Sequence, residues 1–151
     1  MKQFVVGCLA ISAVLFIGLV VLIYFVLIRE LPTLEASIAT PASVAVNSTF
    51  DAVVTAENTH SDQIVLDSID VEAVFLEGFQ VVSVSPKPSE TYSIFGYRTW
   101  EFDQAVEPGE KVEVTFTLRA VQQGHYTGDV DVCNPNQDFQ TVFADVMVNA
   151  E

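Results

Sequence analysis

Basic residues are scarce in this sequence of 151 residues. It has six Lys and Arg against 20 Asp and Glu. All the acidic residues and four of the basic residues lie from Glu30 onward, which gives that part of the chain a formal charge of −16. A surface of this charge repels phosphate backbones and anionic lipid headgroups, so we expect no nucleic-acid partner.

The residues that most catalytic and metal sites require are also few. The chain has two histidines, His60 and His125, and two cysteines, Cys8 and Cys133. It has no Gly-x-Ser-x-Gly elbow, no glycine-rich phosphate loop and no zinc spacing of Cys and His. The sequence therefore predicts that the chain is not an enzyme. It also predicts no cofactor, no metal site and no small-molecule substrate.

One long apolar run stands at the N-terminus. Residues 4–28 contain no charged side chain. As a helix they would rise about 37 Å, against a hydrocarbon core of about 30 Å. This predicts an uncleaved transmembrane anchor over residues 1–30, because the apolar region of a cleavable signal peptide is shorter. The alternative is cleavage near Ser37-Ile38-Ala39, which has the small-x-small pattern.

The charges that flank the apolar run nearly balance. Lys2 precedes it, and Arg29 follows it beside Glu30. A short basic tail before a long apolar run favours a cytoplasmic N-terminus and an exported C-terminal part. We therefore expect a single-pass cell-membrane protein whose C-terminal domain is extracytoplasmic. Asn47-Ser48-Thr49 is a glycosylation sequon, which matters only where the source glycosylates proteins.

Beyond the anchor, the dominant hydrophobic period is two. In residues 111–119, Val112, Val114, Phe116 and Leu118 alternate with polar side chains, as in a half-buried strand. Further strands are predicted at 35–39, 50–57, 64–75, 79–85, 97–102, 126–132 and 142–148. Turn residues separate these seven or eight short strands, so we predict an all-β fold, an antiparallel Ig-like β-sandwich of about seven strands. The predicted organisation is the anchor, a short connection with a first strand (31–42), and the sandwich (43–151).

The order of motifs then resembles a known class of module. Residues 44–50 lead into a strand that ends at Glu57-Asn58, and Gly78-Phe79 precedes the strand at 81–84. Val106-Glu107-Pro108-Gly109-Glu110 then precedes the strand at 111–119. Over about residues 40–150 this is similar to the immunoglobulin-like, CARDB-type modules of bacterial and archaeal surface proteins. The resemblance implies a fold and an extracytoplasmic location, and it implies no activity.

The best candidate for a protein-contact site is the segment from Tyr92 to Tyr97. It combines Tyr92, Ile94, Phe95 and Tyr97 beside the proline-bounded loop Pro86-Lys87-Pro88. Exposed apolar clusters mark contact surfaces. The alternative is an edge strand that covers the core.

Three other features allow a structural and a functional interpretation. Trp100 shares a strand face with Phe102, which indicates core packing. Cys133 is in phase with Asp129 and Asp131, so its thiol either points away from the core or is tucked into the Asn134-Pro135 turn. Asp129, Asp131 and Asp138 could bring oxygen ligands to calcium, although alternating acids on a strand are usually its solvated face.

The sequence therefore favours a binding function over a catalytic one. We expect a non-catalytic, membrane-anchored module that engages another envelope protein. The alternative is a structural or stator-like subunit of a surface appendage or secretion machine.

Overall fold

A computed structural model describes residues 17–19 and 33–150 of the chain. The chain divides into two compact units, Met1–Leu31 and Pro32–Glu151. Of the first unit only residues 17–19 are described, and they are helical. The predicted anchor otherwise lies outside the described residues. Among the residues that are described, no helix is long and apolar enough to cross a membrane.

The second unit is built from strands. Residues 33–150 form ten of them and one short helix, α1 (Ala73–Leu76). The strands are β1 (Glu35–Ala39), β2 (Ser43–Ala45), β3 (Thr49–Glu57), β4 (Ile64–Glu72), β5 (Phe79–Ser85), β6 (Glu90–Ile94), β7 (Tyr97–Val106), β8 (Lys111–Ala120), β9 (Gly124–Cys133) and β10 (Phe139–Asn149). The all-β prediction is confirmed, while the expected number of about seven strands was too low.

The strands form two sheets. One sheet has four strands in the order β1-β3-β8-β5, and the other has six in the order β2-β10-β9-β4-β7-β6. The neighbouring strands pair antiparallel, as expected, with one exception: β2 runs parallel to β10. The chain therefore passes from the first sheet to the second within the residues between β1 and β2.

The core lies between the inner faces of the two sheets. Trp100 of β7 is 2% exposed, and its ring meets the ring of Phe116 of β8 edge to face, with centroids 5.0 Å apart. The predicted core role of Trp100 is confirmed. Around this pair the core holds mostly β-branched and aliphatic side chains, among them Val54, Leu66, Ile69, Val71, Val114, Leu118, Val130, Val132 and Val146.

Two local departures from the predicted strands have physical causes. The strand predicted at 64–75 ends at Glu72, because α1 follows, burying Phe75 while Val74 is exposed. The segment after α1 passes close to β9. A Cβ atom at Gly78 would lie 2.3 Å from the Tyr126 ring, so only glycine fits there.

Candidate functional site

The predicted contact residues lie on a hairpin at the edge of the six-stranded sheet. β6 pairs with β7, with Tyr92 opposite Thr99 and Ile94 opposite Tyr97. Every residue of β6 is exposed, so the segment is an edge strand that does not cover the core. Phe95, at the tip, is 95% exposed. The structure thus brings Tyr92, Ile94, Phe95 and Tyr97 together, and we call these four residues the hairpin rim.

The hairpin turn is strained around its most exposed side chain. Phe95 has φ 48° and Gly96 has φ 88°. Positive φ at both central residues is the requirement of a type I′ turn, in which Asn-Gly is the favoured pair. A bulky residue in this conformation costs about 1–3 kcal/mol, and such costs cluster at functional sites. Phe95 therefore destabilises the turn, while its exposed ring is well placed to contact another protein.

Tyr92 is held by a hydrogen bond on the same face. Its hydroxyl donates to Oε1 of Glu101 over 2.9 Å. This bond raises the pKa of Tyr92 to about 12, with smaller contributions from burial and from neighbouring carboxylates. The phenol therefore stays neutral at physiological pH and remains a donor. The bond orients the aromatic ring on the outer face of the sheet.

Carboxylates occupy the centre of this outer face. The register sets Asp70 of β4 opposite Asp131 of β9, in the same row as Tyr92 and Thr99. One row along, Glu72 lies beside Asp129, and its Oε2 accepts the Asp129 N–H at 3.2 Å. We call these four residues, Asp70, Glu72, Asp129 and Asp131, the acidic floor. Within residues 33–150, the strands of this sheet turn no Lys or Arg side chain outward onto it.

Apolar side chains of β10 border the floor on its other side. Phe139, Phe143 and Met147 are exposed on the outer face of β10, while Ala144, Val146 and Val148 of the same strand are buried in the core. Phe139 lies opposite Cys133, and Phe143 lies opposite Asp129. We call these three residues the β10 rim. The outer face is thus a trough with an acidic floor between two apolar rims.

An open groove of about 480 Å³ is set into this trough. The hairpin side of the groove consists of Ile94, Phe95 and Tyr97, and its other apolar wall is Phe139. Its polar lining comes from Asp67, Ser68, Asp70, Asp131, Cys133 and Gln137. The volume lies within the range of about 300–1,000 Å³ that is usual for ligand sites.

Burial and neighbouring carboxylates raise the pKa values of several groups in the trough. Burial raises the pKa of Asp131, and so do Asp129, Asp70 and Glu72, while the hydrogen bond from Thr141 opposes this shift. Burial likewise raises the pKa of Asp67, followed by the charges of Asp103 and Glu101 and Asp70. Desolvation and then the four acidic-floor carboxylates raise the pKa of Tyr97. In each of these three groups burial is the largest cause of the raised pKa, and neighbouring carboxylates add to it.

Cys133 belongs to the outer face, in phase with Asp129 and Asp131. β9 continues to Cys133, so the interpretation that we favoured from the sequence, in which the strand ends before Cys133, is wrong. The thiol lies 3.7 Å from Oδ2 of Asp70, and Ser68 donates to Oδ1 of the same carboxylate over 3.2 Å. Burial, and then the charge of Asp70, raise the pKa of Cys133 to about 12. The thiol is therefore protonated at neutral pH and is a weak nucleophile.

The residues considered for calcium do not converge. Asp131 lines the groove, and its Oδ1 accepts a hydrogen bond from Thr141 at 2.5 Å. Asp138 lies in the turn after β9, where its N–H donates to Oδ1 of Asn134 at 3.0 Å. In the part of the chain that the structure describes, no three His, Cys, Asp or Glu side chains are grouped so that they could hold a metal ion.

Comparison with proteins of known structure identifies the fold. No protein-family model matches the sequence, and no curated protein matches it. Among solved structures, a cohesin module from a family 33 glycoside hydrolase of Clostridium perfringens ATCC13124 matches with a TM-score of 0.54 and 14% identity, over 80% of this chain and 100% of the module. The CARDB domain of the PF1109 protein from Pyrococcus furiosus, solved in complex with di-metal ions, matches with a TM-score of 0.50 and 19% identity, over 80% of this chain and 90% of that domain.

The chain has an immunoglobulin-like β-sandwich fold. The predicted resemblance to CARDB-type modules is therefore supported at the level of fold. The same fold carries other functions: AvmM, which catalyses macrocyclization in alchivemycin A biosynthesis, matches with a TM-score of 0.50 and 10% identity, over 79% of this chain and 90% of AvmM. Function must consequently be argued from the site.

Sequence reasoning found one side of this site and missed the other. The aromatic content of residues 92–97 identified the hairpin rim. Phe139 and Phe143 were overlooked, although both lie on the same strand face as Thr141 and Asp145, opposite the face of Val142 and Ala144. The pairing of Asp70 with Asp131 depends on which strands are neighbours, and no pattern within one strand carries that information.

Proposed function

We propose that this chain is a membrane-anchored protein-binding module whose sandwich domain lies outside the cytoplasm and contacts another envelope protein through the hairpin rim. The observation that supports the contact is Phe95, a fully projecting aromatic ring at a strained turn, next to three further apolar side chains. Aromatic residues contribute most of the binding free energy at protein interfaces. An exposed ring on a costly backbone conformation favours binding as its role.

The proposed location rests on the sequence. The uncharged run of residues 4–28 is long enough to span a bilayer, and Lys2 precedes it. Protease added to intact cells or spheroplasts should digest the sandwich domain of the full-length chain. Protection of the domain until the membrane is permeabilised would place it in the cytoplasm and end this part of the proposal.

The turn provides a sharp test of the contact. Phe95→Asn removes the ring and installs the residue that a type I′ turn prefers, so it should not lower the stability of the domain. Combined with Tyr97→Ala, it should abolish cross-linking of the partner to the full-length chain. Val82→Ala with Val121→Ala removes two exposed apolar side chains away from the hairpin and should leave the cross-link intact.

The outcomes of this test separate binding from folding. Loss of the cross-link with an unchanged melting temperature supports the hairpin rim as the contact. An unchanged cross-link would refute it. A variant that unfolds would mean that the hairpin supports the core. The role of this segment would then be structural.

A further inference from the structure

The acidic floor determines the charge of what can bind in the trough. Asp70 and Asp131 face each other across neighbouring strands, with Glu72 and Asp129 one row along. His125 contacts Asp145 at 2.7 Å farther along the same face, and the described strands of the sheet bring no Lys or Arg to the floor. An anionic occupant would be repelled, and so would a second copy of this acidic chain. A cationic occupant would be attracted and would meet carboxylates ready to accept its hydrogen bonds.

The two rims determine which groups must flank the cationic group of an occupant. β7 and β10 are separated by β4 and β9, which sets Tyr97 of the hairpin rim about 14 Å from the β10 rim, or three strand spacings, while Tyr92 and Ile94 lie one strand farther away on β6. An occupant that lies between them is in contact with Tyr97 on one side and Phe143 on the other. Its flanking groups must therefore be apolar. A lone inorganic cation would leave both rims exposed to water.

The groove supplies a defined position for one cationic side chain. Asp70 and Asp131 lie in its lining together with Phe95 and Phe139. The Asp70 carboxylate is held by contacts with Ser68 and Cys133, and the Asp131 carboxylate is held by Thr141. Carboxylates held in place on strands can accept hydrogen bonds from the guanidinium group of an arginine, which is rigid and presents several N–H donors in one plane.

We propose that the trough binds a segment of the partner protein in which arginine or lysine alternates with apolar residues, with one basic side chain seated in the groove between Asp70 and Asp131. This inference rests on the proposed function, because it takes the partner to be a protein. It adds the chemistry of the partner and extends the contact surface from the hairpin rim to the acidic floor and the β10 rim.

The test uses the full-length chain in a zwitterionic detergent and measures the anisotropy of fluorescein-labelled peptides. One peptide alternates leucine and arginine. A second replaces each arginine by citrulline, which keeps the shape and removes the charge, and a third replaces each leucine by serine. The first peptide should bind at least roughly tenfold more tightly than either of the others, since it alone satisfies both the floor and the rims.

Variants of the chain locate the binding. Asp70→Asn with Asp131→Asn should weaken binding of the leucine–arginine peptide by roughly tenfold or more. Glu110→Gln with Glu113→Gln removes the same formal charge from exposed positions at the start of β8, outside the trough, and should change the affinity by less than about twofold. Equal weakening by both pairs would show attraction to the overall charge, and it would overturn the inference. So would equal binding of the citrulline peptide.

The experiments can refute the cationic segment without refuting the protein-binding function, and the reverse. If Phe95→Asn/Tyr97→Ala abolishes the partner cross-link while Asp70→Asn/Asp131→Asn leaves it unchanged, the protein-binding function stands and the cationic segment is refuted. If the hairpin variant retains the cross-link and the aspartate variant loses it, the trough binds the partner without the hairpin rim. Melting temperatures of both variants, measured beside the wild type, exclude loss of folding as the cause.

Discussion

Truncation of Phe116 tests the sandwich at its centre. Phe116 is 4% exposed, and it lies on β8, which is paired on both sides, with Ala52 of β3 and Val84 of β5 opposite it. Its ring packs against Trp100 of the other sheet. Phe116→Ala would remove the contact between the two sheets at this point and leave a cavity that hydrogen-bonded strands on both sides cannot close.

The magnitude follows from that geometry. Buried Phe→Ala substitutions cost about 3–5 kcal/mol, and a void of about 10 Å³ already lies beside Phe116, lined by apolar side chains such as Val54 and Val130. The enlarged cavity would have no polar group to hold water. For a domain of this size, a loss of 3–5 kcal/mol corresponds to a fall in melting temperature of roughly 12–20 °C.

Urea unfolding of a fragment of residues 34–151 is the assay. Far-ultraviolet circular dichroism reports the strands, and Trp100, the single tryptophan of the chain, reports the core. Phe143→Ala is the matched control, since that ring is 60% exposed and its removal should change the free energy of unfolding by less than about 0.5 kcal/mol. A helical spectrum of the fragment, or a Phe116→Ala variant as stable as the control, would refute the sandwich assignment.

Two further predictions concern the acidic floor. Because the pKa of Asp131 is raised in the folded state above its ordinary 3.8, the stabilisation associated with this group is complete below the unfolded pKa and is lost as the pH rises through the folded pKa. The melting temperature of Asp131→Asn should therefore exceed that of the wild type at neutral pH, and the difference should shrink on acidification; parallel pH profiles would contradict this. We also expect thermal melts in chelator and in millimolar calcium to coincide, and a calcium-dependent rise that disappears in Asp129→Asn/Asp131→Asn would establish a calcium site instead.

The strands were predictable where one face is buried and the other is solvated. β8 was predicted at 111–119 and runs from Lys111 to Ala120, because each apolar side chain in it faces the core. β6 was not among the predicted strands, and an edge strand was only the alternative for its segment, since all five of its residues are exposed and neither of its faces is buried. β2 has only three residues. Both are edge strands, which a neighbouring strand stabilises and a local pattern does not reveal.

The candidate site was predictable in its composition and not in its geometry. The alternation of Asp129 and Asp131 placed both on the solvated face of a strand, as the structure confirms. Asp70 and Cys133, which meet in the groove, are 63 residues apart in the chain. Their contact arises because β4 and β9 are neighbours, and that neighbourhood results from packing of the whole sandwich.

The parallel pairing of β2 with β10 has a mechanical consequence. The Met147 N–H donates to the Ala42 carbonyl, and the Val46 N–H donates to the Asn149 carbonyl, so hydrogen bonds tie the two strands along their length. Once β1 has separated from β3, a pull on the two ends of the domain draws β2 and β10 in opposite directions along their own axes. Their hydrogen bonds then bear the force together and must shear at once, whereas strands pulled from a shared end separate one bond at a time. The sandwich is therefore built to resist extension between its two ends.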